Sequence, residues 1–486
     1  MPLPWNEPFE LRGRWDAPSP AHGSDEPAAP GSATGGGVGA QPEPPTDRPD
    51  ARPLWPAYGT LAFTTDDGFS LDILGADDDP FAVHAAGTPI YGVTTEGDLC
   101  SLLDTSARSS AGTLGGYGQH VFAGQLLVHG AHLGSLAELP ITRAELGIRG
   151  LREALWHPDR GALGITAIGN DNFQLALDVP GARLTFRLGW DGVHKLHERH
   201  TYRAADVLIE LDEAMPFDEL FQRWVLPLLD FVALATREPT RVETFTAVLT
   251  REVPAKWWKP DEAAAEEEHR VDVVRQQDPL LTESRFGYRR TLFFLGELPD
   301  PGAVLGRWLE LHERLGPSAR FVFTALNSRM YVEHRLDNLT SAAEGYHRAE
   351  HNAPPFTDER FDQLVDDMLE CCQTKAEREH FKVRLKYANS QGQRARLQWL
   401  YRRVEGLLPP LAARRSADVA GLVETRNYFT HQDEKTPGVL DTDQLSRALH
   451  RLEAVMHGNI LLDLGLEEQW VAAALGRSYE GHAAMR

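Results

Sequence analysis

The sequence predicts an α+β multidomain protein, with a mainly antiparallel β domain carrying a few helices in its N-terminal two thirds and an all-α helical bundle after it. Three observations carry this. Apolar and polar residues alternate around turn dipeptides between positions 55 and 210. From Gly302 the apolar period becomes helical and stays so. The chain's 486 residues exceed what one hydrophobic core usually serves. The boundary is set at 1–300 and 301–486.

In chain order, Phe9-Glu-Leu-Arg-Gly-Arg-Trp15 reads as a short strand. Residues 18–53 follow with 9 Pro and 6 Gly in 36 positions, too little apolar surface to order, so this insert is expected to be disordered. Leu61 and Phe63, then Asp66-Asp67-Gly68, then Phe69, Leu71 and Ile73 spell a hairpin with its turn. Phe173 to Val179, Pro180-Gly181, then Leu184 and Phe186 repeat the device. Helix character returns at Pro216 and runs toward Arg237 with a kink expected at Pro227. Val242 to Leu249 is a strand, Trp257-Trp258 is assigned to a core, and Glu262 to Glu268 reads as a short acidic helix or loop. Beyond Gly302, Val304, Leu305, Trp308, Leu309 and Leu315 mark one helix, and Phe321 to Tyr346 reads as one long helix. Leu364-Val365-Met368, Leu397-Leu400-Val404 and Leu445-Leu449-Leu452 mark further helices of the bundle.

The formal charge of −22 argues against a nucleic-acid partner until it is divided. Residues 301–486 hold 24 Lys+Arg against 26 Asp+Glu, and residues 1–300 hold 25 against 45, so the acidity is N-terminal. Residues 375–415 carry 11 Lys+Arg against 3 Asp+Glu. Lys382, Arg384, Lys386, Arg394, Arg396, Arg402 and Arg403 are therefore the candidate phosphate contacts, against the plainer reading of a solvated helix face. The longest apolar run, from Trp224 to Ala235, is broken by Pro227 and Asp230 and is too short to span a bilayer. Met-Pro-Leu-Pro-Trp-Asn-Glu has neither a basic nor an apolar leader region, so a cytoplasmic location and no membrane are expected. Cys100, Cys371 and Cys372 make no disulfide framework and no Cys-x-x-Cys zinc pattern. No metal or cofactor is expected. The sequence leaves open whether His347 and His351, one helical turn apart, join Cys371 and Cys372 at a metal, and it ranks His194, His197 and His200 lower still.

The densest chemistry lies in Arg426-Asn427-Tyr428-Phe429-Thr430-His431. Ser416 reads as the N-cap of its helix with Asp418 in the first turn, and Pro437-Gly438 stop it. At about 100° per residue Asn427 and His431 share a face, whereas Arg426 lies roughly 140° from His431, so the helix is expected to end or distort near His431. A permanently charged guanidinium beside an imidazole that titrates near neutrality suits metal-free phosphodiester cleavage. The imidazole moves a proton at the ribose 2′-OH or the leaving 5′-oxygen, and the guanidinium stabilises charge on the phosphoryl oxygens. One His is half of an acid/base pair, and a twofold homodimer is the simplest completion. An Arg426 ion pair with Glu424 or Asp433 is the purely structural alternative.

Residues 302–486 resemble the HEPN superfamily, and Val423-Glu-Thr-Arg426-Asn427-Tyr-Phe-Thr-His431 is similar to the R-x4-6-H motif of its nuclease branch. With Arg396-Leu-Gln-Trp-Leu-Tyr401, residues 339–460 resemble the ApeA-like HEPN proteins, bacterial anti-phage ribonucleases, and the strand around Gly59-Thr-Leu61 resembles the ApeA N-terminal domain. The resemblance implies abortive infection by RNA cleavage, with tRNA one candidate target. His431 would be the acid/base, Arg426 the transition-state clamp, Asn427 a phosphate or His-orienting donor, and Glu344 or Glu350 the carboxylate that orients the Arg. A dimer or higher even oligomer is expected, and because a constitutive RNase would poison its host, residues 1–300 are expected to hold the bundle inactive until a ligand or a phage-derived activator binds. The rival readings are a non-catalytic dimerisation or nucleotide-binding scaffold, and a carbohydrate-binding β domain that no residue supports.

Overall fold

The structure is a computed structural model describing residues 3–5, 7–16, 57–76, 85–112, 117–155, 173–195, 198–253, 265–277, 291–327, 330–386, 388–431 and 437–479. The 18–53 insert, Trp257-Trp258 and the side chains of His194, His197 and His200 lie outside the described residues.

Fourteen strands occur among them: β1 (Phe9–Asp16), β2 (Ala57–Thr64), β3 (Gly68–Ala76), β4 (Ile90–Thr94), β5 (Leu99–Leu103), β6 (Ser106–Gly112), β7 (Tyr117–Gly124), β8 (Leu126–His129), β9 (Ile141–Ile148), β10 (Phe173–Val179), β11 (Ala182–Lys195), β12 (Glu198–Met215), β13 (Val242–Val253) and β14 (Ala265–Arg275). The chain forms two compact units, one of residues 1–144, 214–218 and 243–279, the other of residues 145–213, 219–242 and 280–486.

In the first unit the strands run β13-β14-β8-β5-β4-β1-β2-β3-β7-β6, antiparallel throughout. Alternation decides the faces. Leu61, Phe63, Phe69, Leu71 and Ile73 are buried, while Tyr58 and Leu74, of the opposite parity on β2 and β3, are 58% and 60% exposed. Gly68 takes φ +72° in the turn, as the Asp66-Asp67-Gly68 signal requires. Phe63 and Phe69 pack 4.7 Å apart, and Trp15 lies on Gly92, where a Cβ would stand 2.4 Å from the indole. The acidic stretch is corrected here: Glu266 to Glu268 belong to β14 and pair with residues 250–252 of β13, and Glu268 also accepts from Arg143 at 2.6 Å.

In the second unit β10, β11 and β12 form an antiparallel ribbon whose first turn is the expected Pro180-Gly181, with Gly181 at φ +89°. The helices are α1 (Leu151–Leu155), α2 (Phe217–Leu220, whose first two residues fall in the other unit), α3 (Leu226–Thr236), α4 (Pro301–Leu315), α5 (Pro317–Asn327), α6 (Val332–His351), α7 (Asp358–Glu370), α8 (Lys375–Leu385), α9 (Gln393–Val404), α10 (Pro409–His431), α11 (Thr442–Asp463) and α12 (Glu468–Tyr479). A π-helical turn at Phe221–Val225 runs directly into α3, with Pro227 in the first turn of α3. Trp308 anchors α4 by donating to the Pro227 carbonyl at 2.8 Å and packing on Phe323 at 4.8 Å.

Two helix readings are corrected. Phe321 to Tyr346 is not one helix, because Tyr331, 80% exposed at φ −57° and ψ 147°, leaves helical backbone and the apolar residues belong to α5 and α6. The motif helix starts at Pro409, not Ser416. Asp418 is consequently interior to α10, where it is buried and accepts two 2.6 Å bonds from Arg451 of α11. No described helix is long and apolar enough to cross a membrane.

Candidate active site

The site is assembled from α6 and α10. α6 buries Leu336, Leu339, Ala343 and Tyr346, and its other flank presents Asp337, Ser341 and Glu344 at i, i+4 and i+7, one polar row along the helix. α10 buries Leu411, Val419 and Leu422. After α10 the chain returns against the same helix: Leu440 covers Gly421, its backbone N–H donates to Thr425 Oγ1 at 2.9 Å, and Gly438 lies against Glu424. A Cβ at Gly421 would meet the Leu440 side chain at 2.6 Å, so any larger residue would have to displace that leucine. These contacts pin the segment after α10 against the second half of that helix.

Arg426 spans the gap. Its Nε donates to Asp337 Oδ1, its Nη1 to Glu344 Oε1 and its Nη2 to Ser341 Oγ, each at 3.1 Å. All three acceptors come from the polar row of α6, and the fork of the guanidinium matches their spacing. The group stays 27% exposed, so a phosphate could approach it from solvent. Of the two glutamates that spacing left equal, Glu344 is the one brought to Arg426; Glu350 pairs with Arg314 at 2.9 Å. Asp337 and Ser341 escaped the sequence reading. The signal was present as a polar i, i+4, i+7 row on a helix with an apolar opposite face.

Asn427 is exposed, and His431 closes α10 one helical turn later, so the helix ends where the motif does; the His431 side chain lies outside the described residues. The alternative partners for Arg426 fare differently. Asp433 is outside the described residues, and Glu424 approaches Arg394 at 3.5 Å.

The basic run divides. Lys382, Arg384 and Lys386 are exposed on and just after α8, a helix without a buried residue, and Arg402 is exposed on α9. Arg394, half exposed, is the member that reaches α10. Arg396 is removed from the phosphate contacts: it is 1% exposed, its Nε donates to the Gln391 carbonyl at 2.8 Å, and its Nη1 faces His347 Nδ1 and Asn352 Oδ1. Arg403 is half-buried and tied to Asp463 at 2.5 Å, so its charge is matched inside the bundle.

His347 and His351 belong to that interior network. Burial and then the Arg396 guanidinium and His351 bring His347 down to about 4. His351 Nε2 lies 3.2 Å from Asp463 Oδ2. Burial pushes Asp463 up, but bonds from His351, Arg403 and Tyr346 bring it to about 2, so it is an anion near neutral pH. Among the described residues no three His, Cys, Asp or Glu side chains group as metal ligands.

The chain matches the family Apea-like HEPN over residues 338–469, a stretch that holds Ser341, Glu344, Arg426, Asn427 and His431, with Asp337 one position outside it. It matches ApeA N-terminal domain 1 over residues 56–270. No curated protein and no solved structure matches the chain. The helical match holds the Arg426 cluster and the N-terminal match covers most of the described strands, so the chain belongs to the ApeA-like HEPN proteins, an anti-phage HEPN-type class.

Proposed function

We propose that this protein is a metal-independent endoribonuclease that cleaves cellular RNA during phage infection, with tRNA the first substrate to examine. The observation that carries the reading is the three-point grip of Asp337, Ser341 and Glu344 on Arg426, with Asn427 and His431 on the following turn. This arginine is held at three points by one row of acceptors and is still left open to solvent.

In the proposed reaction His431 removes the 2′-OH proton and the 2′-oxygen attacks the adjacent phosphorus. Arg426 neutralises charge on the non-bridging oxygens, Asn427 donates to the phosphate or orients His431, and a second imidazole protonates the departing 5′-oxygen. A 2′,3′-cyclic phosphate and a 5′-OH result. The second imidazole comes from the partner's copy of the motif in a twofold dimer. Lys382, Arg384, Lys386, Arg394 and Arg402 are the proposed RNA contacts. Residues 1–300 are proposed as the sensor and regulatory part and 301–486 as the nuclease part, acting in the cytoplasm.

The test is the mapping of RNA 3′ ends after induced expression in cells. Cuts at defined sites that vanish in both Arg426→Ala and His431→Ala are expected. Unchanged toxicity in the two variants, with no new RNA ends, would favour the non-catalytic scaffold instead.

A further inference from the structure

The outward face of β4, β1, β2, β3 and β7 in the first unit is unlike the rest of that unit. Cross-strand partners place Val93, Arg14, Tyr58, Leu74 and Gln119 in one row, with Arg12, Thr60 and Asp72 in the next. They line an open depression of about 880 Å³, within the usual range of small-molecule sites. Val93, Tyr58 and Leu74 are 38%, 58% and 60% exposed, an apolar strip where alternation ordinarily places polar residues.

Charge sharpens the contrast. Residues 1–300 hold 45 acidic against 25 basic side chains, and three described arginines elsewhere on the strands face carboxylates: Arg143 with Glu268, Arg183 with Asp178, Arg187 with Asp206. Among the described residues neither Arg12 nor Arg14 has a carboxylate partner. The Arg14 guanidinium instead stands 5.5 Å from the centre of the Tyr58 ring. Two strands from Arg12, about 10 Å away, Asp72 accepts from Gln119 Nε2 of the next strand through both oxygens, at 3.1 and 2.9 Å; both residues line the depression and keep the Gln119 carbonyl and further Asp72 lone pairs as acceptors.

We propose that this sheet face binds a nucleotide, its base stacked on Tyr58 and the Arg14 plane, its phosphate on Arg12 and Arg14, and its base edge read by Asp72 and Gln119. Bases stack on aromatic rings and on guanidinium planes, and exocyclic amines donate to carboxylates. The span from Arg12 to Asp72 suits a mononucleotide, while the surrounding acidity opposes a longer polyanion. All five strands are flanked on both sides, so no free backbone edge invites an added peptide strand.

Titration of the full-length protein with AMP, GMP, CMP and UMP, beside inorganic phosphate and adenosine, tests this. At least one monophosphate is expected to saturate one site per chain, with phosphate and adenosine at least tenfold weaker and affinity falling with salt. Tyr58→Ala should weaken binding about five- to hundredfold, the loss of one stacked base, and the double variant Arg12→Ala/Arg14→Ala at least tenfold. Thr60→Trp, which fills the depression, should abolish it. Arg183→Ala and Arg426→Ala should leave it unchanged, and the Tyr58 and arginine variants should melt with the parent because those side chains are exposed. Failure of all four monophosphates to bind, binding by phosphate alone, or binding indifferent to the Tyr58, Arg12/Arg14 and Thr60 variants would overturn the site.

Discussion

Two arginine–carboxylate clusters involve the same helix, eight residues or about 12 Å apart along its axis, and they differ in almost everything except chemistry. Asp418 of α10 and Arg451 of α11 are 4% and 7% exposed, joined by two 2.6 Å bonds, and burial raises the Asp418 carboxyl above its ordinary value, only partly offset by Arg451 and Tyr401. Arg426, farther along α10, meets Asp337 and Glu344 at 3.1 Å with 27%, 64% and 20% of the side chains exposed. A buried pair resists removal of either partner because the survivor is left charged in a poor solvent. An open cluster contributes little to stability and keeps its guanidinium within reach of an incoming anion. One helix therefore carries a buried ion pair near its middle and an open one near its end.

The largest effect should fall on chemistry. Arg426→Ala and His431→Ala are each expected to lower RNA cleavage about 10²–10⁴-fold with the melting temperature nearly unmoved, read by gel assay and calorimetry. Next comes the buried pair. Asp418→Ala or Arg451→Ala should cost about 3–5 kcal/mol in denaturant titration, and an equal cost from Glu344→Gln would erase the contrast between the clusters.

Acid should lower stability through the buried histidines of the interior. Burial, against the pull of Glu453, lowers His457 to about 3, and burial with Arg396 lowers His347 to about 4. Because both sit below the ordinary histidine value, protons bind the unfolded chain first. Stability is complete above about pH 6.5 and falls as pH drops toward 4. Melting curves across that window should show the decline, and His457→Gln should flatten it. Asp463, held near 2, adds loss only below about pH 4. The smallest change is expected from Asp337→Asn, under about 1 kcal/mol in stability.

Periodicity made the hairpins and helices legible, since burying one face forces a period of 2 or 3.6 whatever the neighbours are. The Arg426 motif was legible for the same reason, as a compact cluster on one helix. Its acceptors were not. Choosing Glu344 over Glu350 depends on how α6 turns toward α10, and a tertiary angle leaves no mark on spacing. Arg396 misled because a guanidinium inside a basic run looks like surface until Gln391, His347 and Asn352 are seen around it. Asp418 misled similarly: an acidic residue two positions after a serine mimics a helix start, while its partner Arg451 lies 33 residues on.

The most direct measurement is incubation of purified protein with total RNA in EDTA, beside His431→Ala, followed by analysis of the new termini. Fragments ending in 2′,3′-cyclic phosphate and beginning with 5′-OH, absent with His431→Ala, are the expected result. Cleavage that requires added metal, or that persists in the variant, would contradict the assignment of Arg426 and His431.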